Sequence, residues 1–439
     1  MIASCVGKIR RGYVTGAIIL IFSCAAVSQV PRPLTLSEAV DLALKQASPY
    51  RGAQLSERIA AEDVTQARSA FLPKVEGKPN YIFTSPSLGP VRPRLPSYLG
   101  ANAINEIQAL IVASGELDTS GKLRATLTRN QALLESARAG TEVARRDLIQ
   151  GVTEAYYDLA LATAKRVGAE KNLTSADEFE TNTKLQLDAG EVAPVDLVRA
   201  RLQTATRRDE LEQARTDESV NSNGLRLLIG YAFTDPLAVN DLLTETPADN
   251  EIERFAEAAI STRPEFAQFE ADKKAAESEI KIARADRRPQ FTYSLSSGFI
   301  TDSVAATHIK DSSGIQVNVG VTVPIFDWGA ARSRETQARL RLQLAENTRA
   351  LAERQFAQAF FTARTQAILA RTRIRLIGAA ITDAEANVAA STARYRSGEA
   401  TITEVVDAQN TLVTQKTALY QALFDYQTAR ARLMRATGQ

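Results

Sequence analysis

Two stretches of this chain carry a helical pattern far longer than an ordinary globular domain needs. From Lys122 to Asp188, and again from Ala331 to Arg396, no proline interrupts a sequence rich in Ala, Leu, Arg, Glu and Gln. At 1.5 Å per residue each predicts a helix of roughly 100 Å. Each is followed by a Gly turn and a second helix, over Pro194–Ile229 and Thr401–Thr437, of about 55 Å. In the last helix Val405, Ala408, Leu412, Gln415, Leu419, Ala422, Tyr426, Ala429 and Leu433 recur three and four apart, the spacing of a coiled-coil seam. Upstream, short amphipathic helices at Ser37–Ala47 and Ile252–Thr262 lead into second helices that stop before Pro73 and Pro289. These add roughly 35–40 Å, so one long helix is expected to pair with two shorter ones stacked end to end.

Between the helices the period changes from 3.6 to 2. In Gly314–Pro324, Ile315, Val317, Val319, Val321 and Val323 alternate with Gln316, Asn318, Gly320 and Thr322. Phe291, Tyr293 and Leu295 alternate with Gln290, Thr292, Ser294 and Ser296 in the same way. Segments of about ten residues, apolar on one face and small-polar on the other, suit a lipid-facing barrel around water. A soluble sheet with one wet face would share the alternation. The first half is less regular, because Val75-Glu76-Gly77-Lys78-Pro79 breaks the pattern and Glu106 intrudes beside Ile107, Ala109 and Ile111. Four strands cannot close around a lumen, so the chain is expected to oligomerise and hide its sheet edges.

The two halves are copies. Gly190–Ala200 aligns position by position with Gly398–Ala408 at a shift of 208, and the same shift carries Gly121 onto Gly329 and Leu225–Gly230 onto Leu433–Gly438. Ala67–Pro73 aligns with Ala283–Pro289 at a shift of 216, and Ala155-Tyr156-Tyr157 with Ala359-Phe360-Phe361 at 204. Blocks in one order with small indels mark a duplication. The expected organisation is a leader over 1–28, a first repeat over 29–230, a linker over 231–250 and a second repeat over 251–439.

Composition narrows the class. Hydrophobic residues make up 44% but aromatics only 6%, which fits thin alanine-rich helix seams rather than a thick aromatic core. Lys8, Arg10 and Arg11 followed by apolar Val14–Phe22 read as a secretory signal. Cleavage after Ser28, or lipid attachment at Cys24, would each follow from the local residues. Both cysteines, Cys5 and Cys24, lie in this leader, so no disulfide framework is expected. Losing the three leader cations turns 53 basic against 51 acidic residues into 50 against 51. No basic patch points to nucleic acid. No later run of about 18 apolar residues offers a helical span, which leaves a closed barrel as the route into a membrane.

Enzyme chemistry lacks its parts. His308 is the one histidine, in a polar loop between strands, and the mature chain offers no thiol. His/Cys metal sites and nucleophile–His triads therefore cannot be assembled, and no phosphate-binding or dinucleotide motif occurs. No catalytic residue, metal or cofactor is expected. A periplasmic coiled-coil adaptor or scaffold without a barrel is the alternative reading of the hairpins.

The opening Leu34–Leu44, the strand exit Pro324-Ile325-Phe326-Asp327-Trp328-Gly329, and the turn-helix Tyr395–Ala408, duplicated in the first half, resemble the TolC-like outer-membrane factor family along the whole mature chain. The resemblance implies a mainly α fold with a membrane β-barrel. Duplicated long hairpins would form a periplasmic tunnel, and four strands per chain a trimeric twelve-stranded barrel. It further implies a homotrimer in outer-membrane lipid that joins a periplasmic adaptor and an inner-membrane transporter, for efflux or type I secretion. Gly190, Glu191, Val192, Gly398, Glu399 and Ala400 correspond to the adaptor-docking tips. Glu404 and Asp407 correspond to the pore constriction, and Tyr395 and Asp196 to a closed-state latch. Ala400 stands where that latch has an arginine, which leaves Arg394 or Arg396 as substitutes. Ile315, Val317, Val319, Val321 and Val323 would meet lipid.

Overall fold

The computed structural model describes residues 33–84, 105–241, 247–248 and 250–438. The leader, with Cys24 and its cleavage site, lies outside the described residues. The helices are α1 (Leu36–Lys45), α2 (Pro49–Ser69), α3 (Lys122–Asp188), α4 (Pro194–Ile229), α5 (Pro264–Ala285), α6 (Ala306–Asp311), α7 (Ala330–Arg396) and α8 (Ile402–Ala436). The strands are β1 (Lys74–Phe83), β2 (Asn105–Leu117), β3 (Gln290–Thr301) and β4 (Ser313–Thr322). Both 67-residue helices run unbroken where the proline-free stretches predicted them.

One expected helix does not form. Residues Ile252–Arg254 and Glu257–Thr262 make two separate 3-10 turns. Its counterpart α1 begins with a full capping box, Thr35 and Glu38 satisfying each other's backbone amides. The second copy has no side-chain cap at either turn, and a short segment without one does not cover the cost of nucleation. Burial of Ile252 against Phe360, Tyr426 and Leu433 holds it in place instead.

The helices form a slab of four columns. α3 packs against α2 and, below it, α4, and also against α5 and α8, and α7 packs on α5 and α8. Towards the tips α4 bonds directly to α8, and α7 reaches α3. Long helices thus pair with stacks of two shorter ones, as their lengths required. Alanines line the seams: Ala363, Ala367 and Ala370 of α7 meet Tyr426, Ala429 and Leu433 of α8. Near mid-height, Ala39 and Ala43 of α1 bury against Val152, Tyr156 and Leu159 of α3 and Leu225 and Ile229 of α4. The Tyr156 hydroxyl donates to the Leu34 carbonyl at 2.9 Å and accepts from the Asn240 amide at 3.2 Å.

The joint between α5 and α8 is ionic. Glu265 accepts from Arg263 and Arg435, each at 2.6 Å, and Arg435 also pairs with Asp147 of α3 at 2.7 Å. Arg263 lies over the Phe356 ring, 3.8 Å from its centroid. Burial alone would raise the Glu265 pKa. The hydrogen bonds from Arg263 and Arg435 overcome it and hold the carboxyl down at about 2.

All four strands pair antiparallel in one sheet, in the order β1-β2-β3-β4. The register resolves the irregular first half. Val75, Ala113, Leu295 and Val317 lie in one row, and Glu76, Val112, Ser296 and Gln316 in the next. Followed across the sheet, every charged strand residue (Lys74, Glu76, Lys78, Glu106 and Glu116) falls on the face of Asn318 and Thr322. The opposite face carries Ile107, Ile111, Phe291, Tyr293, Leu295, Ile315, Val317, Val319 and Val321. The charges that broke the pattern therefore keep its parity. Val323 continues the apolar series just beyond β4.

Candidate functional site

Both helix–turn–helix tips close in the same way. Gly190 donates to the Leu187 carbonyl at 2.9 Å and Glu191 to Gln186 at 2.8 Å; Gly398 donates to Tyr395 at 3.0 Å and Glu399 to Arg394 at 2.9 Å. Such closures need a left-handed residue after the helix, and Gly190 and Gly398 adopt φ of 78° and 76°. A Cβ on either would meet no atom within 4 Å, so the demand is conformational rather than steric. Gly190, Glu191, Gly398 and Glu399 are exposed, and Val192 and Ala400 half-buried.

Glu404 and Asp407 project from α8 one turn beyond the second tip. Both are exposed, while Val405 and Ala408 beside them are buried in the α8 seam. Arg394 Nη1 donates to Glu404 Oε2 at 3.2 Å, and its Nη2 to the Glu399 carbonyl at 3.3 Å. This arginine therefore braces its own tip rather than reaching Asp196.

Tyr395 enters the other hairpin. Its ring lies 6.0 Å from that of Phe179 on α3. Burial first, then the nearby Asp196 charge, push its phenol above the usual range, while Thr183 pulls the other way. The hydroxyl nevertheless has no hydrogen-bond partner, and Thr183 Oγ1 donates its own proton to the Phe179 carbonyl at 2.9 Å. Tyr395 and Asp196 are thus brought together without a bond between them.

Sequence reasoning passed over the ties between α4 and α8. Arg199 donates to Thr403 at 3.1 Å, Gln203 to Gln409 at 2.8 Å, and Arg207 to Asn410. Arg207 is buried on the face of Thr204, Leu211 and Ala214. A charge on an otherwise small or apolar seam is the signal that would have found it. His308 is exposed on α6, 3.3 Å from Asp302. Among the described residues no group of His, Cys, Asp and Glu could hold a metal ion, and no helix is long and apolar enough to cross a membrane.

A slab of paired helical hairpins continuous with an amphipathic four-stranded sheet defines a class, that of channel subunits with a barrel above a helical tunnel. The outer membrane efflux protein family model matches residues 39–231 and 256–439, and the chain belongs to that family. It is 24% identical over 425 residues to the outer membrane efflux protein BepC of Brucella suis, covering 96% of this chain and 89% of that one. It is 21% identical to the outer membrane protein TolC of Escherichia coli, covering 86% and 77%. The solved structure of VceC from Vibrio cholerae shares the fold, with a TM-score of 0.79 at 19% identity over 92% of this chain and 96% of that one. The chain is accordingly an outer-membrane channel subunit, and the adaptor-like alternative without a barrel is set aside.

Proposed function

We propose that three copies of this chain close one exit duct, with a twelve-stranded barrel in outer-membrane lipid and a helical tunnel in the periplasm. The carrying observation is a pair of unpartnered stripes on the two flanks of the slab. On α7, Leu340, Leu344, Leu351, Leu369 and Leu376 are exposed. At about 100° per residue they fall within roughly 40° of one another, across the helix from buried Phe360, Ala363 and Ala367. On the opposite flank Val195, Val198, Leu202, Val220 and Leu227 of α4, with Leu55 and Ile59 of α2, are exposed in the same manner. A stripe on one flank and its complement on the other make a head-to-tail contact, which generates a ring when the rotation closes.

Within that ring the tips at Gly190–Val192 and Gly398–Ala400 point away from the membrane and meet a periplasmic adaptor, which links the duct to an inner-membrane transporter. Glu404 and Asp407 narrow the throat, and Tyr395, its ring packed by Phe179 with Asp196 nearby, holds one chain's two hairpins together in the closed state. Ile315, Val317, Val319, Val321 and Val323 face lipid. Light scattering of the detergent-purified protein tests the assembly. A trimer mass is expected, with its loss when Leu344, Leu351 and Leu369 are changed together to Lys. A monomeric wild-type protein would overturn the reading.

A further inference from the structure

The joints between sheet and helices come in two kinds. At the inner joint, where β2 ends beside the start of β3, polar groups tie the chain together. Ser120 Oγ donates to Gln290 at 3.2 Å, Arg288 donates to the Ser120 carbonyl at 3.0 Å, and Lys122 pairs with Asp286 at 2.8 Å. At the outer joint, formed by the end of β4 and the start of β1 on the two sheet edges, the corresponding positions are mostly apolar. The 208-residue shift carries Ser120 to Trp328 and Lys122 to Ala330. The 216-residue shift carries Arg288 to Leu72, Gln290 to Lys74 and Asp286 to Ala70.

Trp328 is 90% exposed, Ile325 93% and Leu72 65%, whereas Ser120, the counterpart of Trp328, is buried. Trp328 is also the one non-glycine residue with positive φ among those described, at 57°. That conformation is costly for a bulky side chain. The Phe326 ring meets the indole in an edge contact, 4.7 Å between centroids, and is itself exposed.

We propose that β4 of one copy joins β1 of the next in the register that β2 keeps with β3, and that Trp328 then packs on Leu72 and the Lys74 stem of that next copy. The inference rests on the homotrimer proposed above. Pairing of Leu117 with Phe291 becomes pairing of Ile325 with Val75 across the seam. The indole replaces the inner joint's polar ties with an apolar clasp, and the strain at Trp328 is offset by its burial between copies. A lipid-facing indole is the competing placement. It is disfavoured because Lys74 and Gln290 share the water-side face of the sheet with Asn318.

Trp328 is the only tryptophan, so the unmodified trimer reports on it directly. Reconstituted in vesicles of brominated phosphatidylcholine, its fluorescence should be blue-shifted and largely unquenched; strong quenching would place it in lipid and overturn the clasp. Residues directly opposite on neighbouring strands lie within disulfide reach. Oxidation of a chain carrying Val75→Cys and Ile325→Cys should therefore give interchain disulfide-linked species that neither single variant forms. A trimer by light scattering without that cross-link would overturn the register while leaving the trimer standing. A monomer would remove both.

Discussion

Arg394 and Glu404 form an ion pair of 3.2 Å across the second hairpin tip. One carboxylate of the proposed throat is therefore already matched by a cation of its own chain. Asp407 has no ion pair among the described residues and stands nearer to a free charge.

This asymmetry decides which carboxylate governs cation block of the pore. In planar bilayers, Asp407→Ala should raise the blocking concentration of a divalent cation about tenfold, roughly 1.4 kcal/mol of binding, and Glu404→Ala less. Arg394→Ala should lower it by releasing Glu404. Undiminished block in the Glu404→Ala/Asp407→Ala double variant would move the constriction elsewhere.

Tyr395 holds by its ring. Its hydroxyl is unpartnered while the ring packs near Phe179, so Tyr395→Phe should leave single-channel conductance close to wild type. Tyr395→Ala should raise it by opening the contact between α3 and α7. A large effect of the Phe variant alone would mean that the hydroxyl bonds Asp196 in the assembled channel.

Gly398→Val should distort the tip through its φ of 76° at a cost of about 1–2 kcal/mol, not through any clash. Co-purification of the adaptor should fall while the heat stability of the assembled barrel holds. Loss of the assembly itself would make the turn a folding element rather than a docking one.

Val319→Arg and Asn318→Arg lie on adjacent residues of β4 with opposite parity. In urea unfolding from vesicles the first should destabilise by about 2–4 kcal/mol near the bilayer midplane and the second much less. Equal losses would contradict the assigned faces.

Glu265 sets an acid limit. Its pKa falls from 4.5 in the unfolded chain to about 2 in the folded one. The folded state therefore gains stability that is complete above pH 4.5 and is lost as pH falls toward 2. Glu265→Gln leaves Arg263 and Arg435 buried without their anion, and should destabilise by about 3 kcal/mol at neutral pH. The loss should shrink as the pH falls through that window, as read from denaturation midpoints. A constant deficit across it would remove the ionic joint as the cause.

Helix lengths, tip glycines, the duplication and the alternation in β4 were legible in the sequence because each follows from near neighbours: a proline-free stretch, a left-handed turn, a period of two. Folding decided what depends on distant partners. Glu76, Lys78 and Glu106 looked like interruptions until the pairing of β1 with β2 showed that they share one face. Arg263, Glu265, Arg435 and Asp147 meet from three helices, and no local spacing announces them. The turns at Ile252–Thr262 resembled α1 in pattern, yet without a cap the burial of Ile252 prevailed over helix formation. Chain-local physics thus determined the elements and their ends. Which charges are matched, and which side chains stay bare for another copy, came from packing, because those are properties of surfaces that exist only once the slab and sheet are assembled.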